Sequence, residues 1–141
     1  MLIKNALVIL KEGIVKTDVL VKDGKIAQIG ACLTDEEILD LDGNYLAPGF
    51  VDIHNHGGYG YDYMDNSVEA FENILRFHSD NGITSVVAST VTAAKVTIEK
   101  TLSVAKEMIK KRGNHAKLLG VHLEGPYLSF QRRVKQRSVW G

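Results

Sequence analysis

The chain has 141 residues, 45% hydrophobic and 24% charged, with a formal net charge of zero. That length suffices for one ordinary domain with a real core, and the neutral balance gives no electrostatic reason to expect nucleic acid as a partner. A single cysteine, Cys32, excludes an internal disulfide framework; the start has no signal-peptide pattern and no apolar run approaches a membrane span, so the expected setting is the cytoplasm without membrane contact.

Residues 1–46 read as a small β segment. Leu2 to Leu10 is short and mostly apolar. Val19 to Val21, Asp23-Gly24, then Ile26 to Ile29 is a hairpin signal, because Asp-Gly favours the type I′ turn that matches strand twist. Leu39-Asp40-Leu41, Asp42-Gly43 and Tyr45-Leu46 repeat that pattern. Nothing in this segment carries chemistry, and Cys32 is expected to pack as a small apolar residue.

The next stretch organises the chain. Pro48-Gly49 opens a buried strand over Phe50 to His54, which leads into His56 and the glycine-rich run Gly57-Gly58-Tyr59-Gly60. Strand alternation is expected to put Asp52, His54 and His56 on one face and Val51, Ile53 and Asn55 on the other. Two imidazoles two residues apart at a strand end can converge on one metal ion. The carboxyl end of an apolar strand is where barrel enzymes place their chemistry. The glycine run lacks the Lys-Ser/Thr of a phosphate loop and reads as mobile backbone over the site.

A helical rhythm follows. Asp65, Asn66 and Ser67 offer N-cap side chains; Val68, Phe71, Ile74, Leu75 and His78 share one face, and Gly82 is a stop. Ile83 to Ser89 reads as a buried strand. Thr92 is the expected cap of a second helix with the apolar face Ile98, Leu102, Ala105, Met108 and Ile109, ended by Lys110, Lys111, Arg112 and Gly113. Lys117 to Leu123 is a third buried strand. Strand-helix-strand-helix-strand with near-continuous apolar strands predicts a parallel α/β sheet.

The third strand ends in His122-Leu123-Glu124-Gly125-Pro126. In a parallel sheet Glu124 lies at the same end as His56, and a carboxylate joining two imidazoles makes a divalent-metal site with open positions for water. His122, one layer deeper, and Asp52 are expected to support the ligands rather than bind the ion. His78, on a helix's apolar face, and His115, in a loop, are expected to have ordinary structural roles.

Ala-Pro-Gly-Phe-Val-Asp-Ile-His-Asn-His-Gly-Gly and Val-His-Leu-Glu-Gly-Pro-Tyr-Leu-Ser resemble the N-acetylglucosamine-6-phosphate deacetylases of the amidohydrolase superfamily. The first motif indicates the superfamily; the second, at this distance, is more specific to the deacetylases. The resemblance covers residues 1–129. It implies the first part of a TIM-like (β/α)8 barrel over 47–129, preceded by a β-sandwich segment over 1–46. It implies a hydrolase that removes acetate from N-acetylglucosamine 6-phosphate, a small amino-sugar phosphate. One or two divalent ions, zinc or iron, would bind at His54, His56 and Glu124, and a full-length chain could form a homo-oligomer. A full barrel takes about 250 residues, and in the family the proton-shuttling aspartate, two further metal-binding histidines and most sugar-contacting residues lie downstream. This chain alone is therefore expected to be inactive. The competing readings are another amidohydrolase, a cyclic amidase or deaminase, and a non-enzymatic fragment.

Residues 130–141 depart from the family pattern. They carry Arg132, Arg133, Lys135 and Arg137 and no acid, which leaves the balancing four negative charges on the preceding residues. A frameshift near codon 130 is the expected origin; an anion-binding basic tail is the weaker alternative.

Overall fold

The computed structural model describes residues 1–111 and 113–125. The expected basic tail, with Trp140, lies outside the described residues, as does the Pro-Tyr-Leu-Ser end of the second motif. The chain divides into two compact units, Met1–Pro48 and Gly49–Gly141.

The first unit is a five-stranded sheet. Strands β1 (Leu2–Leu10), β2 (Gly13–Lys22) and β3 (Lys25–Gly30) form an antiparallel meander. Asp23 and Gly24 both take positive φ, 51° and 70°, as a type I′ turn requires. β2 is longer than its apolar run because it pairs with nearly all of β1. The expected second hairpin does not form. β4 (Ile38–Asp40) and β5 (Tyr45–Leu46) both run parallel to β1, at successive positions along it. β1 bulges between Ile3 and Ala6, with Asn5 at φ 54°, and Asp42-Gly43 answers that bulge instead of reversing the chain. Gly43 N–H donates to the Asn5 carbonyl, and the Asn5 amide grips both oxygens of Asp40. Ile3, Ala6, Val8 and Val19 make the small core. Cys32 does not pack there: its left-handed conformation, φ 59°, leaves it exposed.

The second unit holds a three-stranded sheet, β6 (Phe50–Asn55), β9 (Ile83–Ser89) and β10 (Lys117–His122), all parallel with β9 central. Between β6 and β9 lie a two-residue ladder, β7 (Gly57–Gly58) with β8 (Tyr61–Asp62), a 3₁₀ turn (Tyr63–Asp65) and helix α1 (Val68–Asp80). Helix α2 (Lys95–Lys110) joins β9 to β10. The glycine run is thus a hairpin rather than loose backbone. Tyr59 at its tip stacks on Phe77 and donates its hydroxyl to Asp80, 3.0 Å. Gly58 is required there, because a Cβ would stand 2.4 Å from the Phe77 ring.

Ser67 caps α1, its hydroxyl accepting from Ala70 N–H at 3.0 Å, while Asp62 and Asp65 form a capping box on the 3₁₀ turn. α2 begins at Lys95, later than Thr92 suggested, and Ala94 at its N-cap makes no side-chain cap bond. Its buried face is Ile98, Thr101, Ala105 and Met108; Leu102 and Ile109, expected inside, are exposed. Thr101 takes a core position because its hydroxyl reaches Asn66 Oδ1 and the Thr97 carbonyl. Phe71, Ile74, Val86, Ala88, Ala105 and Leu118 are among the residues packed between helices and sheet.

Candidate metal centre

Because β6, β9 and β10 are parallel, their carboxyl ends fall on one side of the sheet. There β6 departs from simple alternation. Asp52 pairs with Val86 and Asn55 with Ala88, so β6 carries one extra residue, a bulge, between them. Val86 and Ala88 belong to the core under the helices. Paired residues in a parallel sheet share a face, so Asp52 and Asn55 both belong to the helix-covered side. The expected grouping of Asp52 with His54 and His56 is corrected by this bulge, which resets the alternation.

On the face opposite Asn55 the two imidazoles, two residues apart, meet at Glu124. Nε2 of His54 and Nε2 of His56 each lie 3.3 Å from Oε2 of Glu124. The two rings meet edge to face with centroids 5.2 Å apart. Glu124 follows β10, so the first and third strands supply the cluster across the central one. His122 is also drawn in: its ring centroid is 5.2 Å from that of His54, and one ligand atom from each of His54, His122 and Glu124 lie within 4.8 Å of one another. Asp52 stands outside this group; its Oδ1 accepts the backbone N–H of His54 at 3.0 Å. His115 is exposed and precedes β10, at the opposite end of that strand from Glu124. His78 is 2% exposed, and burial pushes it below the usual histidine value against a smaller opposing pull from Asp52.

The residues at the end of β9 hold the cluster in place. His56 Nδ1–H donates to the Ser89 carbonyl, 3.2 Å, which turns Nε2 of the ring toward Glu124. The Ser89 hydroxyl pairs with His122 Nδ1 at 3.3 Å. Glu124 N–H donates to Thr90 Oγ1, 3.2 Å, and Thr92 donates to the Gly125 carbonyl, 2.9 Å. That last bond explains why Thr92 does not cap α2. Sequence reasoning missed Ser89 and Thr90. The available signal was a polar pair ending an apolar strand on the same side of the sheet as His56 and Glu124.

These residues fit a divalent cation. Oε2 of Glu124 is buried and receives no hydrogen bond from the described residues, although Nε2 atoms approach it from two sides. A carboxylate oxygen with two imidazole nitrogens at such separation is a donor set suited to a cation lying between them. Two ligands about 2.0–2.1 Å from a tetrahedral ion stand roughly 3.3–3.4 Å apart, which matches the separation of each histidine from Glu124; the ligand atoms that all lie within 4.8 Å of one another are those of His54, His122 and Glu124.

A family model described as Amidohydrolase family matches residues 45–139, and one described as Urease alpha-subunit, N-terminal domain, matches residues 1–43. An N-acetylglucosamine-6-phosphate deacetylase of Bacillus subtilis (strain 168) is 33% identical over 148 residues, covering 99% of this chain and 37% of its own. An N-acetylgalactosamine-6-phosphate deacetylase of Escherichia coli O157:H7 is 32% identical over 113 residues, 80% of this chain and 29% of its own. The crystal structure of N-acetylglucosamine-6-phosphate deacetylase from Pasteurella multocida superposes with a TM-score of 0.83 at 25% identity, covering 98% of this chain and 38% of that one. The chain spans about a third of the length of these relatives. With two converging histidines and a carboxylate at the strand ends, and that family model matched over most of its length, the chain belongs to the amidohydrolase family.

Proposed function

We propose that this chain contributes the opening part of a metal-dependent deacetylase that hydrolyses the acetamide of N-acetylglucosamine 6-phosphate to glucosamine 6-phosphate and acetate. The observation that carries this reading is the buried Oε2 of Glu124, without a hydrogen bond among the described residues, lying 3.3 Å from Nε2 of both His54 and His56. The similarity to deacetylases acting on amino-sugar 6-phosphates supports the substrate class. Within this reading β6, α1, β9, α2 and β10 are the first strands and helices of a (β/α)8 barrel, and residues 1–46 belong to a small β-sandwich.

His54, His56 and Glu124 hold the ion; two imidazoles and a carboxylate suit zinc or iron. A bound divalent cation supplies Lewis acidity toward the acetamide carbonyl and makes water acidic enough to attack near neutral pH. The chain's own groups set this up. The Ser89 carbonyl fixes the His56 tautomer with Nε2 free. Thr90 anchors the main chain at Glu124. His54 and Glu124 keep 52% and 39% of their side chains accessible, so a substrate can approach from the open side.

Acetate release from N-acetylglucosamine 6-phosphate by a chimera that joins this chain to the downstream barrel of a full-length relative tests the reading. Release abolished by a chelator and restored by zinc or iron is expected. Ring opening of a hydantoin without acetate release would overturn the substrate assignment, and release unaffected by chelation would overturn the metal.

A further inference from the structure

The bulge of β6 between Asp52 and Asn55, beside His54, has to be held, because an extra residue in a strand leaves its ladder bonds unmade. Asn55, between the two histidines, is where it is tied down. Its Nδ2 donates to the Val87 carbonyl of β9, 3.3 Å, and its Oδ1 is 2.9 Å from His78 Nε2 of α1. With the amide nitrogen committed to a carbonyl, Oδ1 can only accept, so His78 Nε2 carries the proton and donates. One side chain therefore joins the metal-bearing strand to its neighbour strand and to the helix beneath.

The geometry points to His78 as a positioning residue for the metal centre. It acts through Asn55 to hold the main chain between His54 and His56, so that both Nε2 atoms face Glu124; this rests on the metal-binding reading above. Several features separate it from an ordinary core residue. It is 2% exposed, yet it sits on an apolar helix face where a leucine would pack at less desolvation cost. Its Nδ1 has no hydrogen-bond partner, so burying the ring leaves one polar atom unsatisfied, and the bond to Asn55 is the only compensation among the described residues. Asp52 secures the other side of the same bulge through its bond to His54 N–H. The helix-covered face thus grips the bulge at both ends while the opposite face presents the ligands.

Two variants separate positioning from packing. In His78→Gln the terminal amide nitrogen replaces Nε2 and can still donate to Asn55 Oδ1. In His78→Asn the amide is drawn back and cannot reach. Cobalt(II) titration of the 141-residue chain, read from the visible ligand-field bands, reports both affinity and coordination. Chelator-treated samples give each variant's unfolding midpoint. The Gln variant is expected to bind with the parent's spectrum and affinity. The Asn variant is expected to lose about tenfold in affinity, the lower end for residues that orient ligands, with altered bands. If the parent binds cobalt(II) and both variants bind alike with the parent spectrum, the positioning role is refuted and the metal centre stands. If the two variants lose affinity equally, the Asn55 bond is not the cause and the proposal fails. A parent that binds no cobalt(II) refutes the metal centre and this proposal with it.

Discussion

Replacing Glu124 by glutamine should change stability in opposite directions with and without metal. In the metal-free chain Oε2 is buried without a donor among the described residues and faces two imidazole nitrogens. An unsatisfied buried polar atom costs about 1–3 kcal/mol, more if charged; because the side chain is 39% accessible, the lower end, about 1 kcal/mol, applies. The glutamine amide supplies N–H groups to those nitrogens, so Glu124→Gln should be about 1 kcal/mol more stable than the parent in chelator. With zinc at a hundred times its Kd, the parent gains about 2.7 kcal/mol and a variant that does not bind gains nothing. The order then reverses, leaving the variant roughly 1–2 kcal/mol the less stable. Urea unfolding of both proteins, with EDTA and with zinc, measures all four values. A variant less stable than the parent in EDTA, or one stabilised by zinc as much as the parent, would refute the reasoning.

Other predictions follow from single contacts. The His54→Ala, His56→Ala double variant should lose stoichiometric zinc in equilibrium dialysis while keeping the parent's circular dichroism, since neither side chain belongs to the buried core. Ser67→Ala should destabilise by about 1 kcal/mol in urea unfolding, through loss of the N-cap bond to Ala70. Gly58→Ala should cost about 1–3 kcal/mol, because the new methyl meets the Phe77 ring. Tyr63 is fully buried, and burial, then Asp52 and Asp62, hold its hydroxyl well above the usual tyrosine value of 10.0. A raised folded-state value gives stability that is complete below pH 10 and lost as pH climbs above it, where the unfolded chain ionises first. Tyr63→Phe should remove that part of the alkaline loss, seen as a smaller drop in unfolding midpoint between pH 9 and 11.

Much of the architecture was legible because long periodic segments leave few alternatives. Ile83–Ser89 appears at the residues its β-branched run predicts, and α1 spans Val68–Asp80 with Ser67 among the expected caps. The His-Asn-His pair and Glu124 were legible as candidate ligands because a parallel sheet puts all strand ends on one side. What stayed hidden depends on contacts distant in sequence. The β6 bulge is a register relation with β9 and leaves no mark on the β6 sequence alone. Thr92 reads as a cap until Gly125 competes for its hydroxyl. Asp42-Gly43 reads as a hairpin turn until the bulge at Asn5 draws it alongside β1. Cys32 looks like core by residue type, but its positive φ belongs to a surface turn.

The central claim is tested most directly by zinc-edge anomalous diffraction from crystals of the chain grown with zinc. The account predicts one peak bonded to Nε2 of His54, Nε2 of His56 and Oε2 of Glu124, at about 2.0–2.2 Å from each. No anomalous density among these three atoms, with zinc bound elsewhere on the chain, would contradict it.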